Sequence, residues 1–315
     1  MLVRLLSRTG ILVLTALVGS VVVFLLLAIL PGDPAQVALG INATPQALEQ
    51  MREQFGINRP LIVQYFAWMG GVLTGHFGTS YITGADIGSQ ISDRLSVTAW
   101  LIFLGLIAAI IIAIPLGTLS AVLYRRRVGA VLGGVTQFGL AIPSFIAAIL
   151  LINIFAVRLG LVPSGGWTPP SENFGAFVSQ AILPVLSIGL IQGSLLSRYI
   201  RSATLDVLRE DYIRTARAKG LSPLRAFLKH GARNAAIPVV TVLGLQMAAL
   251  LIDTIVIERV FVIPGLGSLL FDAIGRRDLL LVQGVVLLLV VAILVLNYII
   301  DLVYVAIDPR LRRAS

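Results

Sequence analysis

The chain contains 315 residues, of which 57% are hydrophobic and 12% are charged. A soluble core of this size could not bury so much apolar surface, whereas membrane spans of about 20 residues each accommodate it. The composition therefore predicts a membrane protein and excludes a cytosolic enzyme, and we attribute the net charge of +9 to membrane topology rather than to nucleic-acid binding.

The hydropathy pattern predicts an all-α helix bundle, because six stretches are free of charge and long enough to cross a bilayer. Six spans place both termini on the same side of the membrane. The predicted spans are Thr9–Gly32, Val97–Leu123, Val128–Val157, Asn173–Ser197, Asn234–Ile252 and Leu279–Ile300. The chain then divides into an N-terminal end with the first span (1–32), an external segment (33–96), a transmembrane domain (97–306) that includes a cytoplasmic loop (198–233), and a tail (307–315).

Lysine and arginine are distributed unevenly between the two sides of this predicted bundle. Of the 24 basic residues, 17 lie in segments on the side of the termini and 7 lie on the opposite side. Basic residues accumulate in the cytoplasmic loops of membrane proteins. We therefore predict that both termini and the 198–233 loop face the cytoplasm.

The external segment carries two predicted helices before the second span. Thr44 and Pro45 form an N-cap and a first helical residue, and Gly56 ends that helix. A second helix, 61–72, is rich in aromatic residues, which favour the headgroup level of a bilayer. Both helices are expected at the outer membrane surface, where they either pack against the rim of the bundle or contact a partner.

Three prolines fall inside predicted spans, at Pro115, Pro143 and Pro184. Each lacks a backbone donor, so neighbouring helices must satisfy the carbonyl that it frees. Kinked helices that line a path are one interpretation, and ordinary tolerance of proline in membrane helices is the other. Small residues would also let spans pack closely, at Gly133, Gly134, Gly139, Gly189 and Gly193.

The cytoplasmic loop has the pattern of two amphipathic helices joined by a glycine. Apolar residues recur every three or four positions up to Ala216, Gly220 ends the first helix, and Ser222 with Pro223 begins a second. A short amphipathic helix outside the membrane needs a surface that covers its apolar face. That surface is either a groove of a partner protein or the anionic headgroups that attract its basic residues.

Several segments, spread in order along most of the chain, resemble one family of membrane proteins. They are Leu30–Pro34, Leu159–Gly166, Asp211–Leu221, Arg233–Pro238, Glu258–Phe261 with Pro264–Gly267, and Ile307–Arg310. The loop segments resemble the cytoplasmic coupling loop of binding-protein-dependent ABC importer permeases, in particular the dipeptide and oligopeptide permease branch. They depart from the general importer pattern, in which a glutamate and two alanines occupy the positions of Arg214, Thr215 and Ala216.

The resemblance implies a non-catalytic subunit that forms half of a translocation pathway for dipeptides or oligopeptides. It implies a homologous second permease, two ATP-binding subunits and an extracytoplasmic substrate-binding protein as partners, within the lipid of a prokaryotic plasma membrane. ATP and Mg²⁺ would belong to the ATP-binding subunits. The chain's two lysines, Lys219 and Lys229, do not follow a glycine as a Walker A loop requires.

The resemblance further implies that the loop transmits movement between the ATP-binding subunits and the bundle. The small side chain of Ala216 would allow close helix contact, and Gly220 would turn the chain. Three apolar residues are predicted to fill a groove of the ATP-binding subunit: Leu221, Leu224 and Phe227. The arginines Arg214, Arg217 and Arg225 would pair with acidic residues there or remain solvated.

Polar residues within the spans are candidates for the translocation pathway. Asp253 lies in an otherwise apolar stretch, and intramembrane carboxyl groups face a bundle interior or water. It would either meet the amino terminus of a peptide or play a hydrated structural role. Asn153, Gln192 and Gln246 are further candidates, although amides also join helices by hydrogen bonds.

Other classes of protein remain open on the residues alone. A secondary transporter usually shows an internal repeat and a midplane ion site, and no repeat is evident between residues 1–157 and 158–315. An intramembrane or metal hydrolase would need a nucleophile with a base or a metal, whereas the chain has no cysteine and two histidines outside the spans. A channel or scaffold would not require the helical loop. For an importer, dipeptides, longer peptides, nickel chelates and haem-like cargo remain alternatives.

Overall fold

The computed structural model describes residues 2–29, 32–40 and 43–307, and this part of the chain is mainly helical. The first six helices are α1 (Leu2–Ile29), α2 (Pro34–Leu39), α3 (Pro45–Phe55), α4 (Leu61–Leu73), α5 (Ile87–Val122) and α6 (Arg127–Ala141). The others are α7 (Ser144–Leu151), α8 (Phe174–Leu208), α9 (Asp211–Ala218), α10 (Pro223–Ala226), α11 (Ala232–Val260), α12 (Leu266–Arg276) and α13 (Leu279–Ile307). Two π-helical turns, Ile152–Arg158 and Phe227–Gly231, extend α7 and join α10 to α11. The motif residues 30–31 and 308–310 lie outside the described residues.

The described residues contain five helices that are long and apolar enough to cross a membrane, and a bent pair that makes a sixth if it counts as one span. This confirms the predicted all-α bundle of transmembrane helices. Large apolar side chains remain exposed along these helices, for example Ile111, Phe138 and Leu245. Such faces suit lipid tails, which are as apolar as the side chains. The cytoplasmic location of both termini stays a prediction.

The third predicted span, Val128–Val157, consists of two helices joined at a sharp bend, which agrees with the interpretation of Pro143 as a kink. Between α6 and α7, Ile142 takes an extended conformation (φ −98°, ψ 123°), and the two helices are bent by 102°. The cause is Pro143, because a proline disfavours helical geometry at the preceding residue and has no N–H for the helix ladder. By contrast, α5 continues through Pro115 and α8 through Pro184.

The helix that contains the predicted span Asn173–Ser197 continues to Leu208, into the predicted cytoplasmic loop. The predicted first helix of the loop is therefore the end of α8 followed by α9, separated by the extended residue Glu210 (φ −65°, ψ 145°). No glycine or proline marks this turn in the sequence, so the apolar periodicity continues across it. Gly220 follows α9 with φ +92°, and Ser222 caps α10, as predicted.

The described helices form two compact units. The larger unit contains Ala99–Ile263 and the residues from Leu296 onward, and the smaller unit contains Leu2–Thr98 and Pro264–Val295. The larger unit holds α6 to α11 and therefore both the predicted cytoplasmic loop and Asp253, the carboxyl group singled out above.

Close packing between α5 and α8 in the larger unit depends on glycine. A Cβ added to Gly189 would lie 2.6 Å from the Cβ of Ala108, and one added to Gly193 would lie 3.1 Å from the Cβ of Ile112. These distances confirm the predicted small-residue contact at Gly189 and Gly193. On α6, nothing lies within 4 Å of a Cβ added to Gly134, so the prediction is wrong for that residue.

Gly189→Val is expected to destabilise the bundle, because overpacking a close contact costs about 1–3 kcal/mol. Gly134→Val is the matched control, since it adds the same side chain in open space and is expected to change stability by less than about 0.5 kcal/mol. The measurement is the melting temperature of each purified variant in the same detergent. Equal melting temperatures for the two variants would contradict the close helix contact.

In the smaller unit, the external segment packs against the first span. The hydroxyl of Thr44 accepts the N–H of Ala47 at the start of α3, and Gly56 ends this helix with φ +69°, as predicted. The hydroxyl of Tyr65 on α4 lies 2.9 Å from Ser20 Oγ on α1. Packing against the bundle therefore accounts for this face of α4 without a partner.

A buried carboxyl group joins the external segment to the last span. Asp278 is 1% exposed, accepts a hydrogen bond from the hydroxyl of Ser80, and accepts the N–H of Leu281 in the first turn of α13. Ser80 Oγ also accepts the N–H of Thr83 at 2.9 Å. Burial raises the pKa of the neighbouring Tyr81, and the charge of Asp278 raises it further. Moving the segment along α13 would take the Ser80 hydroxyl away from a buried carboxyl group, which is unfavourable.

Candidate functional site

Three helices of the larger unit, α7, α8 and α11, pack against one another and bring polar side chains together inside the apolar bundle. Asp253 of α11 accepts a hydrogen bond from Ser144 Oγ (2.9 Å) at Oδ1 and from Gln192 Nε2 (2.7 Å) at Oδ2. We call these three residues the polar cluster. Gln192 is 4% exposed, and Ser144 is buried as well. Two residues predicted separately for the pathway, Gln192 and Asp253, are therefore in direct contact.

The break at Pro143 explains how Ser144 reaches this cluster. A new helix begins after the proline, so Ser144 is the first residue of α7. The free N–H groups of a helix N-terminus carry partial positive charge and stabilise a nearby carboxylate. Sequence reasoning missed Ser144, because a single straight span would place it in mid-helix. The available signal was Pro143 itself, since a proline commonly marks a helix boundary.

The polar cluster retains unused hydrogen-bonding capacity. Within the described residues, Gln192 Oε1 and Gln246 Nε2 are buried without a hydrogen-bond partner. The ion pairs found in the same part of the chain do not include Asp253. A carboxylate in an apolar bundle needs a cation, a proton or water to compensate its charge. The carboxylate of Asp253 and the unused Oε1 of Gln192 are acceptors, and they therefore suit a positively charged group that carries N–H donors, such as an ammonium.

The two remaining pathway candidates differ in their relation to the polar cluster. Gln246 is buried and lies on α11 seven residues before Asp253, which places both residues on one face of that helix. Asn153 lies in the π-helical turn Ile152–Arg158, has an exposed side chain and supplies none of the hydrogen bonds above. Gln246 extends the polar surface of α11, whereas the structure does not bring Asn153 into it.

The second candidate site lies in the predicted cytoplasmic loop and is formed by α9, α10 and the residues up to Gly231, which we call the helix–glycine–helix segment. Gly220 turns the chain in the left-handed region, and the N–H of Leu221 donates to the carbonyl of Ala216 at 3.3 Å. Ser222 caps α10 by accepting a backbone N–H. These local hydrogen bonds fix the direction in which α10 leaves α9.

The helix–glycine–helix segment has an apolar core of its own. Ile213 and Ala216 of α9 pack with Phe227, which is 4% exposed, and with Val207 at the end of α8, and Leu221 packs against the same core. The prediction that Leu221 and Phe227 fill a groove of an ATP-binding subunit stays a prediction, while within this chain Phe227 is buried and Leu221 is partly buried against this core. Their side chains hold the segment against the bundle. Apolar periodicity shows that a face is buried, but it does not show which protein covers it.

The outer surface of the segment is basic. Arg214, Arg217 and Arg225 are exposed, and Arg214 pairs with Asp211 of the same helix at 3.3 Å. An exposed pair of this kind contributes only about 0–1 kcal/mol, so a partner could replace it at little cost. Leu224 is partly exposed and lines a cavity together with Arg217.

The resemblance of this segment to importer coupling loops predicts that Gly220→Val leaves the chain in the membrane and disconnects ATP hydrolysis from transport. Nothing lies within 4 Å of a Cβ added to Gly220, but its φ of +92° is unfavourable for a β-branched residue. The resulting strain, about 1–2 kcal/mol, falls on the corner between α9 and α10. Uptake and ATP hydrolysis are measured on the same reconstituted complex, with Gly220→Asn as the control because asparagine tolerates positive φ. Normal uptake by Gly220→Val would count against a coupling role for this corner.

Two family models match the chain over most of its length. Residues 113–313 match the model described as the inner membrane component of binding-protein-dependent transport systems. Residues 1–102 match the model for the N-terminal part of such membrane components.

Comparison with individual proteins of known name indicates the same family as the family models. The chain is 41% identical to the glutathione transport system permease protein GsiC of Salmonella choleraesuis strain SC-B67, over 95% of each chain. It is 37% identical to the protein of the same name from Escherichia coli strain K12, again over 95% of each chain. Its fold is similar to that of a chain of the MetNI methionine ABC transporter solved in inward-facing conformations, with a TM-score of 0.55 at 18% identity, covering 69% of this chain and 96% of that chain. The protein therefore belongs to the family of inner membrane components of binding-protein-dependent transport systems, and it is a permease subunit of an ABC importer.

Proposed function

We propose that this subunit forms half of the translocation pathway of an importer for short peptides, glutathione among them. The observation that supports this cargo most strongly is the 41% identity, over 95% of each chain, to a permease named for glutathione transport. Glutathione is itself a short peptide with a free amino group and free carboxylates. Dipeptides and longer oligopeptides present the same groups and belong to the same proposal.

The family implies ATP-binding subunits and a substrate-binding protein as partners of this inner membrane subunit. We propose that a homologous second permease completes the bundle and that two ATP-binding subunits hold ATP and Mg²⁺, so that this chain contributes no catalytic residue. Closure of the ATP-binding pair would favour one state of the bundle over another. The size of that effect is limited by the difference in binding free energy between the two states.

In this proposal the helix–glycine–helix segment is the contact with an ATP-binding subunit. Its exposed arginines Arg214 and Arg225 meet acidic residues of that subunit, which supports attraction and orientation more than affinity. The buried side chains of Ala216 and Phe227 keep the segment rigid, so that a push on its surface reaches α8 and α11. Gly220 sets the angle at which the surface is presented.

Asp253 is proposed to receive the amino terminus of the peptide during passage. Its carboxylate has a serine and a glutamine as partners but forms no ion pair among the described residues. A primary ammonium supplies a compensating charge and three N–H donors. It would also satisfy the free Oε1 of Gln192.

The proposed function is tested by reconstituting the complete transporter in proteoliposomes with the binding protein outside and ATP inside. We expect uptake of radiolabelled glutathione that stops when either ATP or the binding protein is omitted. Competition on the purified binding protein by dipeptides, longer peptides, a nickel chelate and haem then ranks the cargo. Uptake driven by an ion gradient without ATP would instead indicate a secondary transporter, and preference for haem or nickel would refute the peptide cargo.

A further inference from the structure

A cavity of about 550 Å³ opens in the larger unit between the turn after α5 and the helix–glycine–helix segment. Its volume falls within the range of about 300–1,000 Å³ that is usual for small-molecule sites. Four arginines line it, Arg125 and Arg126 from the turn, Arg209 from the end of α8, and Arg217 from α9. The cavity therefore brings together basic residues from three parts of the sequence.

Among the described residues, no carboxylate is found paired with the arginines of this cavity. No aspartate or glutamate is among the residues that line it. In the part of the chain that the structure describes, the ion pairs found involve Arg52 and Arg214 and none of the four arginines. Arg125 donates only to the hydroxyl of Tyr124, at 2.8 Å. Four like charges around one concave surface create a strong local potential that attracts an anion.

The rest of the lining is mainly apolar and belongs to the end of a membrane span. Leu119, Val122 and Leu123 come from the end of α5 and its following turn, and Leu208 comes from the end of α8. Tyr124 follows at once and is exposed, as is usual for aromatic residues at the headgroup level of a bilayer. The cavity thus has an apolar wall at the edge of the hydrocarbon layer and arginines at the level of the lipid phosphates.

We propose that this cavity binds the headgroup of an anionic phospholipid, with the phosphate among the four arginines and an acyl chain along the end of α5. An acidic segment of an ATP-binding subunit would also match the positive charge. It would not, however, account for the apolar lining that the end of the membrane span contributes. The bound lipid joins the turn after α5 to the helix–glycine–helix segment. Arg217 and Leu224 are then lipid contacts, while Arg214 and Arg225 remain for the ATP-binding subunit. This site is independent of the cargo.

The test is native mass spectrometry of the full-length chain in detergent with equal amounts of dioleoylphosphatidylglycerol and dioleoylphosphatidylcholine. The wild type is expected to retain phosphatidylglycerol at least about a hundred-fold better than phosphatidylcholine, because four arginines line the cavity. Each basic residue near an anionic lipid contributes a factor of about five, so Arg126→Ala with Arg217→Ala is expected to reduce this retention about 25-fold. These side chains are exposed, and their removal leaves folding intact.

The matched control is Arg127→Ala with Lys219→Ala, which removes the same charge from exposed positions beside the cavity that do not line it. We expect this control to retain phosphatidylglycerol as well as the wild type does. Equal losses of phosphatidylglycerol retention in both double variants would overturn the site. So would a wild type that shows no preference for phosphatidylglycerol over phosphatidylcholine. Binding of the ATP-binding subunit in lipid-free detergent is measured as well. If only the cavity variant loses that binding while lipid retention is unchanged, the cavity belongs to the protein partner and the proposal fails.

Discussion

Phe227→Ala is expected to leave the subunit in the membrane, to loosen the helix–glycine–helix segment and to reduce ATP-driven uptake at least about ten-fold. Phe227 lies in the core that joins α9 to the ends of α8 and α11. Truncating a buried phenylalanine to alanine costs about 3–5 kcal/mol, because the apolar contacts are lost and a cavity is left. The segment is small, so a loss of this size is enough to unfold it locally while the membrane helices stay intact.

The measurement that separates local loosening from general unfolding is hydrogen exchange of the purified full-length subunit. Every 1.4 kcal/mol is about a ten-fold change in an equilibrium, so exchange across α9 and α10 should rise by about a hundred-fold or more. Leu228→Ala is the control, because the neighbouring side chain is 61% exposed and contributes little to the core. Unchanged exchange in Phe227→Ala, or an equal rise in both variants, would contradict the assignment of Phe227 to an internal core.

Asp253→Asn is expected to weaken uptake of peptides with a free amino terminus relative to the same peptides with an acetylated one. The substitution keeps the shape of the side chain and removes the charge that an ammonium would meet. A hydrogen bond to a charged group contributes about 1.5–3 kcal/mol, so the preference for the free amino terminus should fall by roughly ten- to a hundred-fold. Uptake of both peptides is measured in the same reconstituted transporter at saturating ATP.

Ser144→Ala distinguishes the charge of Asp253 from its structural contacts. This variant removes one hydrogen bond from the carboxylate but keeps the charge and the bond from Gln192. It should lower uptake of both peptides to a similar, small extent. If Asp253→Asn also lowered both peptides equally, Asp253 would act by holding α7, α8 and α11 together and not by contacting the cargo.

The sequence alone predicts those parts of the fold that depend on local chemistry. Thr44 and Ser222 cap helices where a hydroxyl precedes a proline, and Gly56 and Gly220 end helices because they take positive φ. Each of these signals acts within four residues of the feature that it determines. The apolar stretches are equally direct evidence, because hydrocarbon excludes charge over the whole length of a span.

The sequence does not predict features that depend on a single atom or on distant residues. Hydropathy averaged over Val128–Val157 does not register that Pro143 lacks one N–H, although that absence divides the span into α6 and α7. The turn at Glu210 carries no glycine or proline, so no residue in the sequence indicates that the helix is interrupted there.

The candidate sites show the same limit. Asp253 and Gln192 are recognisable as polar residues in apolar helices, but their contact joins positions 61 apart and follows only from the packing of α8 on α11. Ser144 and Asp278 look unremarkable in sequence because their partners come from other helices. For Phe227, the amphipathic pattern was correct, and the structure was needed to show that the protein covers that face itself.

The bend at Pro143 between α6 and α7, which we call the elbow, also affects the thickness and hydration of the bilayer beside it. Each arm contains 15 residues, about 22 Å of helix, whereas the hydrocarbon layer is about 30 Å thick. A break in a helix frees peptide groups that hydrocarbon cannot solvate, so they must be met by water or by a neighbouring chain. We therefore expect a locally thinned, hydrated patch beside the elbow. Such a patch would give a charged cargo a hydrated position part of the way across the hydrocarbon layer.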